Sequence, residues 1–356
     1  MWFLGSRTGT YPPPTPFSGV YWDNPYENVR TFQNGNGKWL RCNFHTHTNR
    51  WGGLTLHRKN TQEQVLAAYD SLGYDVLGLS DYQHISIPTP RYAASGMLLL
   101  PCYEHGYSLK KVHQLSIGAR EVTGWDNPFW QTLAQKQRNL NRLGPRTEVV
   151  ALCHPNWHKA YTSRDIKYLT GYHLFEVMND WWKSEALWDV ALSAGKRAMA
   201  IGSDDTHNVR KPTDLARDLT LVYLADSVPT LAPARSERLY RALKTGTAVT
   251  VETPRRMGKA TTAQKRQYLD GLPLLESFRV HGDSLSVALT GYAVSFSFIG
   301  QNGAVLEQVT GKGICRASYA LQPSDTYVRV KISLADSTQI YLNPVMRTEK
   351  IVSLPR

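Results

Sequence analysis

Two histidines two residues apart, His45 and His47, follow a short apolar approach formed by Trp39, Leu40, Cys42 and Phe44. In an extended strand residues i and i+2 share a face. The two imidazoles therefore project side by side, as a pair of nitrogen ligands suited to zinc or iron. Alone, such a pair is a weak signal, equally consistent with two polar strand residues. The same placement recurs downstream. Ser80-Asp81-Tyr82 follows the strand-like run Asp75–Leu79, Glu104-His105-Gly106 follows Met97–Pro101, and His113 lies in the alternating run Val112–Ile117. His154 follows Val149–Leu152, and Gly202-Ser203-Asp204-Asp205-Thr206-His207 follows Ala198–Ile201. Any one of these histidines, taken alone, reads as a satisfied core or loop residue. As a set, His45, His47, Asp81, Glu104, His113, His154, Asp205 and His207 offer more nitrogen and carboxylate donors than one metal needs, and a carboxylate can bridge two ions.

The elements that must position these groups are legible in outline. Thr61-Gln62-Glu63-Gln64 has capping-box spacing, Val65, Leu66, Tyr69 and Leu72 form a helical stripe, and Gly73 is a C-terminal stop. The result is a strand–loop–helix–strand unit, for which parallel pairing is the default. Helices over Ser184–Ala194 and Arg235–Lys244, stopped by Gly195 and Gly246, and a strand over Ala248–Val251 continue the pattern. Polar groups at the carboxyl ends of apolar strands are where barrels of alternating strands and helices place their sites. Residues 1–38, rich in Pro and Gly, read as an irregular arm, residues 39–253 as the site-bearing domain, and residues 254–275 as a basic linker or surface loop. From residue 276 to 356 short alternating strands separated by Gly, Asn, Asp and Ser turns fit a small all-β sandwich: Phe278–Val280, Leu285–Leu289, Val294–Phe298, Val305–Val309, Tyr327–Ile332 and Ile340–Leu342.

The formal charge of +12 points to acidic partners or substrates. A phosphate-bearing small molecule and a polyanion both fit, and no nucleic-acid motif sharpens the choice. Cys42, Cys102, Cys153 and Cys315 form no C-x-x-C pair; they read as small buried residues rather than thiolate ligands. No segment has the apolar length of a membrane span. Met-Trp-Phe-Leu before Gly5 is too short for a secretory signal core, so the expectation is a cytoplasmic protein, or a signal outside this sequence.

The motif order, H-x-H, Ser-Asp after a strand, Glu-His-Gly, His, Cys-His-Pro and Gly-Ser-Asp-Asp-Thr-His, resembles the PHP (polymerase and histidinol phosphatase) superfamily over about Trp39–Thr253. Leu187-Trp188-Asp189 through Gly195-Lys196-Arg197, and Ala242-Leu243-Lys244-Thr245-Gly246, agree. Tyr327-Val328-Arg329-Val330 and Tyr341-Leu342-Asn343-Pro344 resemble the β-sandwich appended to many bacterial members. The resemblance implies an α/β fold, a distorted (β/α)7 barrel followed by that sandwich, and a metal-dependent phosphoesterase. It places His45, His47, Glu104 and Asp205 on one ion, and Glu104, His113 and His154 on a second. Positions that hold a third ion in the fullest sites read Gly52, Tyr82 and His207, so two of its three ligands are missing. Two divalent ions (Zn, Mn or Fe) are expected, the third site being weak or absent unless His57, His84 or Asp81 substitutes. Two ions sharing Glu104 would hold an acidified water as nucleophile against a phosphate mono- or diester. His207 is the candidate proton donor, with Tyr82 second. Asp204 could orient Asp205, and Arg50, Lys110 and Arg91 are candidate phosphate clamps. Hydrolysis of an amide or lactone, or a non-catalytic metal-containing binding role, are the alternatives.

Overall fold

In the computed structural model, which describes residues 11, 13–29, 37–50, 59–86, 96–179, 182–225 and 232–349, the fold is a mixed α/β one built on extensive sheet with few helices. Tyr21–Asp23 (β1) in the arm pairs antiparallel with Val345–Thr348, so the arm is tied to the far end of the chain. Tyr26 adds to that tie, donating to the Ala248 carbonyl at 2.6 Å and accepting from the Asn343 amide at 2.7 Å.

Lys38–Asn43 (β2), Val76–Leu79 (β3) and Leu98–His105 (β4) pair in parallel, and Gln62–Ser71 (α1) connects the first two. Both arms of the capping box at Thr61 and Gln64 form, and Val65, Leu66 and Tyr69 face the core, as the 3.6-residue stripe requires. All four residues of β3 are buried. Gly78 is obligatory there: a Cβ would meet the Cys102 sulfur at 2.7 Å. The parallel pattern then breaks. Gly106–His113 is too short for a crossover, so Gln114–Ala119 (β5) returns antiparallel to β4, and Thr147–Leu152 (β6), reached through the helix Leu133–Leu143 (α2), is antiparallel to β5. After the short helix Ser163–Tyr168 (α3), β6, Leu174–Asn179 (β7) and Met199–Ser203 resume parallel pairing. β7 and Met199–Ser203 are buried along their length, the mark of a sheet covered on both faces.

Trp182–Lys183 (β8) and Glu185–Ser193 (α4) precede Met199–Ser203 (β9). Asp218–Leu224 (β10) pairs antiparallel with β2 and, after Ala232–Thr245 (α5), with Ala248–Glu252 (β11). Thr220 of β10 joins β9, exchanging hydrogen bonds of 3.0 and 2.9 Å with the Gly202 backbone. The segment read as a basic linker contains a helix, Thr262–Asp270 (α6), with a complete capping box of its own at Thr261 and Gln264. Its basic residues masked that signal. Lys265 is buried, donating to the carbonyls of Pro212 and Leu215.

The strands that follow are longer than the sequence suggests. Leu285–Leu289 and Val294–Phe298 belong to one strand, Ser284–Ile299 (β13); its partners are Leu275–His281 (β12) at one end, Tyr327–Ser333 (β15) at the other, and Val305–Ala320 (β14) along most of its length. Thr290-Gly291-Tyr292 reads as a turn but makes a register shift instead, between Ala288 and Ala293. Gln339–Leu342 (β16) pairs with both β15 and β11, so hydrogen bonding runs from the C-terminal strands into those that carry the site. Among the described residues no helix is long and apolar enough to cross a membrane.

Candidate metal centre

Backbone bonds between strand-end loops bring the site together. Thr46 bridges Thr206, with the His47 amide donating to the Thr206 carbonyl at 2.9 Å, and the Ser80 amide donates to Thr46 at 2.8 Å. Tyr82 bridges Glu104 in the same way. His45, Glu104, His113 and His154 are at most 1% exposed and His47 3%. Of the nine non-glycine residues with left-handed backbone among the described residues, six are His154 and Asp205 themselves and Gln83, Lys111, His158 and Lys159 in adjoining loops, a concentration of strain typical of functional sites.

Glu104 is at the centre. Its Oε1 lies 2.5 Å from His113 Nδ1 and 3.2 Å from His154 Nε2, while its Oε2 lies 3.3 Å from both His45 Nε2 and His47 Nε2. Asp205 Oδ1 closes the second set, 3.3 Å from His45 Nε2, 3.0 Å from His47 Nε2 and 3.3 Å from His207 Nε2. Yet Glu104 Oε2, His45 Nε2 and both His113 nitrogens make no aligned hydrogen bond, although they are buried. Buried polar atoms this close but misaimed have lone pairs converging on shared points rather than on each other. That convergence, in a set of imidazoles and carboxylates, fits divalent ions.

The protonation states of Glu104, Asp205, His47 and His113 agree. Burial opposes ionisation of Glu104 and Asp205, but His113 and His45 around Glu104, and His45 and His207 around Asp205, outweigh it and hold both well below the usual carboxylate range. Burial lowers His47, with His207 adding to it, and also lowers His113, which keeps these rings neutral and able to ligate. Burial also disfavours charge on His45, but Asp205, Glu176 and Glu104 overcome it and raise its pKa well above the ordinary value.

Glu176 escaped the sequence reading. It is fully buried; its Oε1 lies 3.0 Å from His45 Nδ1, and its Oε2 accepts from the His154 amide at 2.7 Å and from Asn179 at 2.9 Å. It fixes the far nitrogen of one ligand candidate and the backbone of another, the role carboxylates play behind metal-bound histidines. The available signal was an acid inside the apolar run Leu174–Val177.

His207 and Tyr82 sandwich the His47 ring, at centroid distances of 4.3 and 4.6 Å. His207 is the more open group, with 23% of its side chain exposed, and its pKa is raised because Asp205 outweighs burial. Burial, then Glu104, holds the Tyr82 phenol well above its ordinary pKa. Asp81 is not brought into the cluster: its oxygens accept from the Thr48 amide and hydroxyl and from Ser86. Asp204 turns away from Asp205 and accepts from the amides of Ala216, Arg217 and Asp218 and from Tyr69, which makes it a loop anchor. His84 and Arg50 are exposed, while Gly52, His57 and Arg91 lie outside the described residues. Cys153 Sγ falls within 4.8 Å of donor atoms of His45, Glu104 and His154. Burial, then Glu104, pushes its thiol well above the usual pKa, so it remains a small protonated residue. At the cluster's edge Trp157 packs against His154 with centroids 4.9 Å apart, and Trp182 stacks on Trp157 at 6.3 Å.

No family model matches the chain, and no curated protein matches it either. Among solved structures, the chain is similar to one from Bacteroides vulgatus described as "a two-domain protein containing predicted PHP-like metal-dependent phosphoesterase". The two are 14% identical, with 89% of this chain and 96% of the other covered, at a TM-score of 0.45.

Proposed function

We propose that the protein is a metal-dependent hydrolase of phosphate esters working with two divalent ions. On this reading residues 39–253 form the distorted (β/α)7 hydrolase region and residues 276–356 an appended β-sandwich. The observation that carries it is Glu104, whose two oxygens face two different sets of imidazoles. His45, His47, Asp205 and Glu104 would hold one ion, and Glu104, His113 and His154 the other. When bound, zinc, manganese or iron supplies an acidified water and neutralises charge on phosphoryl oxygens.

The chain's own residues do the rest. Glu176 holds the His45 ring and the His154 backbone, so the donor set is in place before any ligand arrives. His207, at the open edge of the cluster, holds a proton within reach of a leaving alcohol oxygen, and Tyr82 lines the opposite face of His47. Asp81 is already saturated, which leaves a third ion without a described carboxylate.

The test is reconstitution with Mn, Zn or Fe, elemental analysis, and hydrolysis of 4-nitrophenyl phosphate and bis(4-nitrophenyl) phosphate. Two equivalents per chain are expected, with turnover that vanishes in a Glu104→Gln, His154→Ala double variant. Two bound equivalents with neither ester cleaved would sink the phosphoesterase reading and move the scissile bond to an amide or lactone.

A further inference from the structure

Beside the metal centre lies a second concave site that the hydrolytic reading leaves unused. It is a cavity of about 570 Å³ whose wall carries Lys110, Lys159 and Arg164, with Trp130 at its rim. All three cationic side chains are exposed, and among the described residues none is paired with a carboxylate. The acidic member of the wall, Asp165, is already committed. Its Oδ2 accepts from Lys136 Nζ at 2.7 Å, from the Thr162 amide at 2.8 Å and from the Thr162 hydroxyl at 2.9 Å. Lys136 is spent in the same pairing and on the Ala160 carbonyl at 2.7 Å. The wall therefore presents three cations with no counter-charge. Like charges gathered in a cleft repel one another and focus a field that concentrates anions.

The cavity lies close to the metal centre along the chain. Val112 lines it, and the next residue, His113, lies 2.5 Å from Glu104. Lys159 ends a loop that begins at His154. Lys110 is three positions before His113 and Lys159 five after His154, so their Cα atoms are at most about 11 and 18 Å apart. Between the sites Lys111 Nζ sits 5.6 Å from the centre of the Trp157 ring, and Trp157 packs on His154.

We propose that this cavity is a second anion subsite, and that the substrate is a compact polyanion: a phosphate ester carrying a further phosphate, sulfate or carboxylate that Lys110, Lys159 and Arg164 receive. Trp130, 67% exposed at the rim, offers a flat face to the skeleton between the two charged groups. The identity of the first group rests on the phosphoesterase reading; the anion affinity of the cavity does not.

The first arm avoids catalysis. Inorganic pyrophosphate is titrated calorimetrically onto metal-free protein. One saturable site is expected, at least tenfold weaker in a Lys159→Glu, Arg164→Glu variant of unchanged circular dichroism and retained in Glu104→Gln. Absence of saturable binding, or binding that survives the double charge reversal, overturns the proposal; loss in Glu104→Gln alone places the anion at the metal centre and also overturns it. In the second arm the metal-loaded protein is given 4-nitrophenyl phosphate and 1,6-hexanediol bisphosphate. The ratio of the bisphosphate KM to the aryl phosphate KM is expected to rise at least tenfold in the double variant, and an unchanged ratio counts against a substrate role for the cavity. Failure of the wild type to cleave either ester defeats the phosphoesterase reading, while the pyrophosphate titration still decides the subsite.

Discussion

Glu104 and Arg329 are both withdrawn from water, at 0% and 1% exposure, but their surroundings are built in opposite ways. Arg329 grips Asp189 with a fork of two bonds, Nε to Oδ1 and Nη2 to Oδ2, each 2.7 Å, and reaches Glu185 at 2.9 Å. Lys331 donates to the other Glu185 oxygen at 2.7 Å, Tyr327 donates to Asp189 at 3.2 Å, and the guanidinium lies 5.0 Å from the Trp188 ring centre. Two cations meet two carboxylates with aligned bonds, Arg329 Nη1 being the atom left without a partner. Around Glu104 the distances are comparable, yet Oε2 has no aligned partner, and at Oε1 His154 is aligned while the closer His113 is not. A network that satisfies itself ties α4 to β15; one that leaves buried donors and acceptors unmatched has atoms to offer a ligand. Alignment, not burial or charge, separates a structural cluster from a chemical one.

The largest effect that could break this contrast is expected from Glu104→Gln. Metal-dependent turnover should fall by more than the roughly 100-fold that losing a partner behind a ligand costs. Turnover retained in the metal-loaded variant would show that Glu104 is structural. Arg329→Met should do the reverse. It leaves Asp189 buried without its cation and should cost about 3–5 kcal/mol in denaturant unfolding, with two metal equivalents per folded chain retained. Adding Asp189→Leu should recover part of the loss; a further loss would mean that the pair's contribution is not electrostatic.

The same distinction explains what the sequence could tell. His45, His47, Glu104, His113, His154 and Asp205 were legible because chemistry-bearing residues at strand ends stand out against apolar runs, and the structure brings all six together. The α1 cap and stripe were legible because they are local. Glu176 was not, since its meaning depends on β7 lying beside β6. Asp81 looked like a ligand because nothing in the chain shows that Thr48 and Ser86 saturate it. The antiparallel turn at β5 and the bend inside β13 were hidden because pairing direction and register are settled by partners distant in sequence.

A smaller effect sharpens the contrast inside the metal centre. Glu176→Gln keeps the size and one acceptor of the side chain but removes the charge behind His45. Metal affinity should weaken 10- to 100-fold, with stoichiometry unchanged at saturation, as read by competition with a chromophoric chelator. Unaltered affinity would make Glu176 a packing residue like any other in β7.

The smallest effect concerns pH and separates the two clusters by sign. Burial works to raise the Glu185 pKa, but Arg329 and Lys331 pull it below its ordinary 4.5. A carboxyl whose folded pKa is depressed adds stability above the unfolded value and loses it as pH falls through the folded one. In Arg329→Met the main cause of that depression is gone, so the carboxyl titrates nearer its ordinary value in the folded state too. The stability gap between wild type and Arg329→Met, both metal-free, should therefore be widest above pH 4.5 and narrow as pH falls below it through the depressed folded value. Glu104 and Asp205 titrate in both proteins and cancel in the difference. Urea unfolding at stepped pH measures it. A gap that stays constant through the acid range would assign the contribution of Arg329 to its packing against Trp188 rather than to its charge.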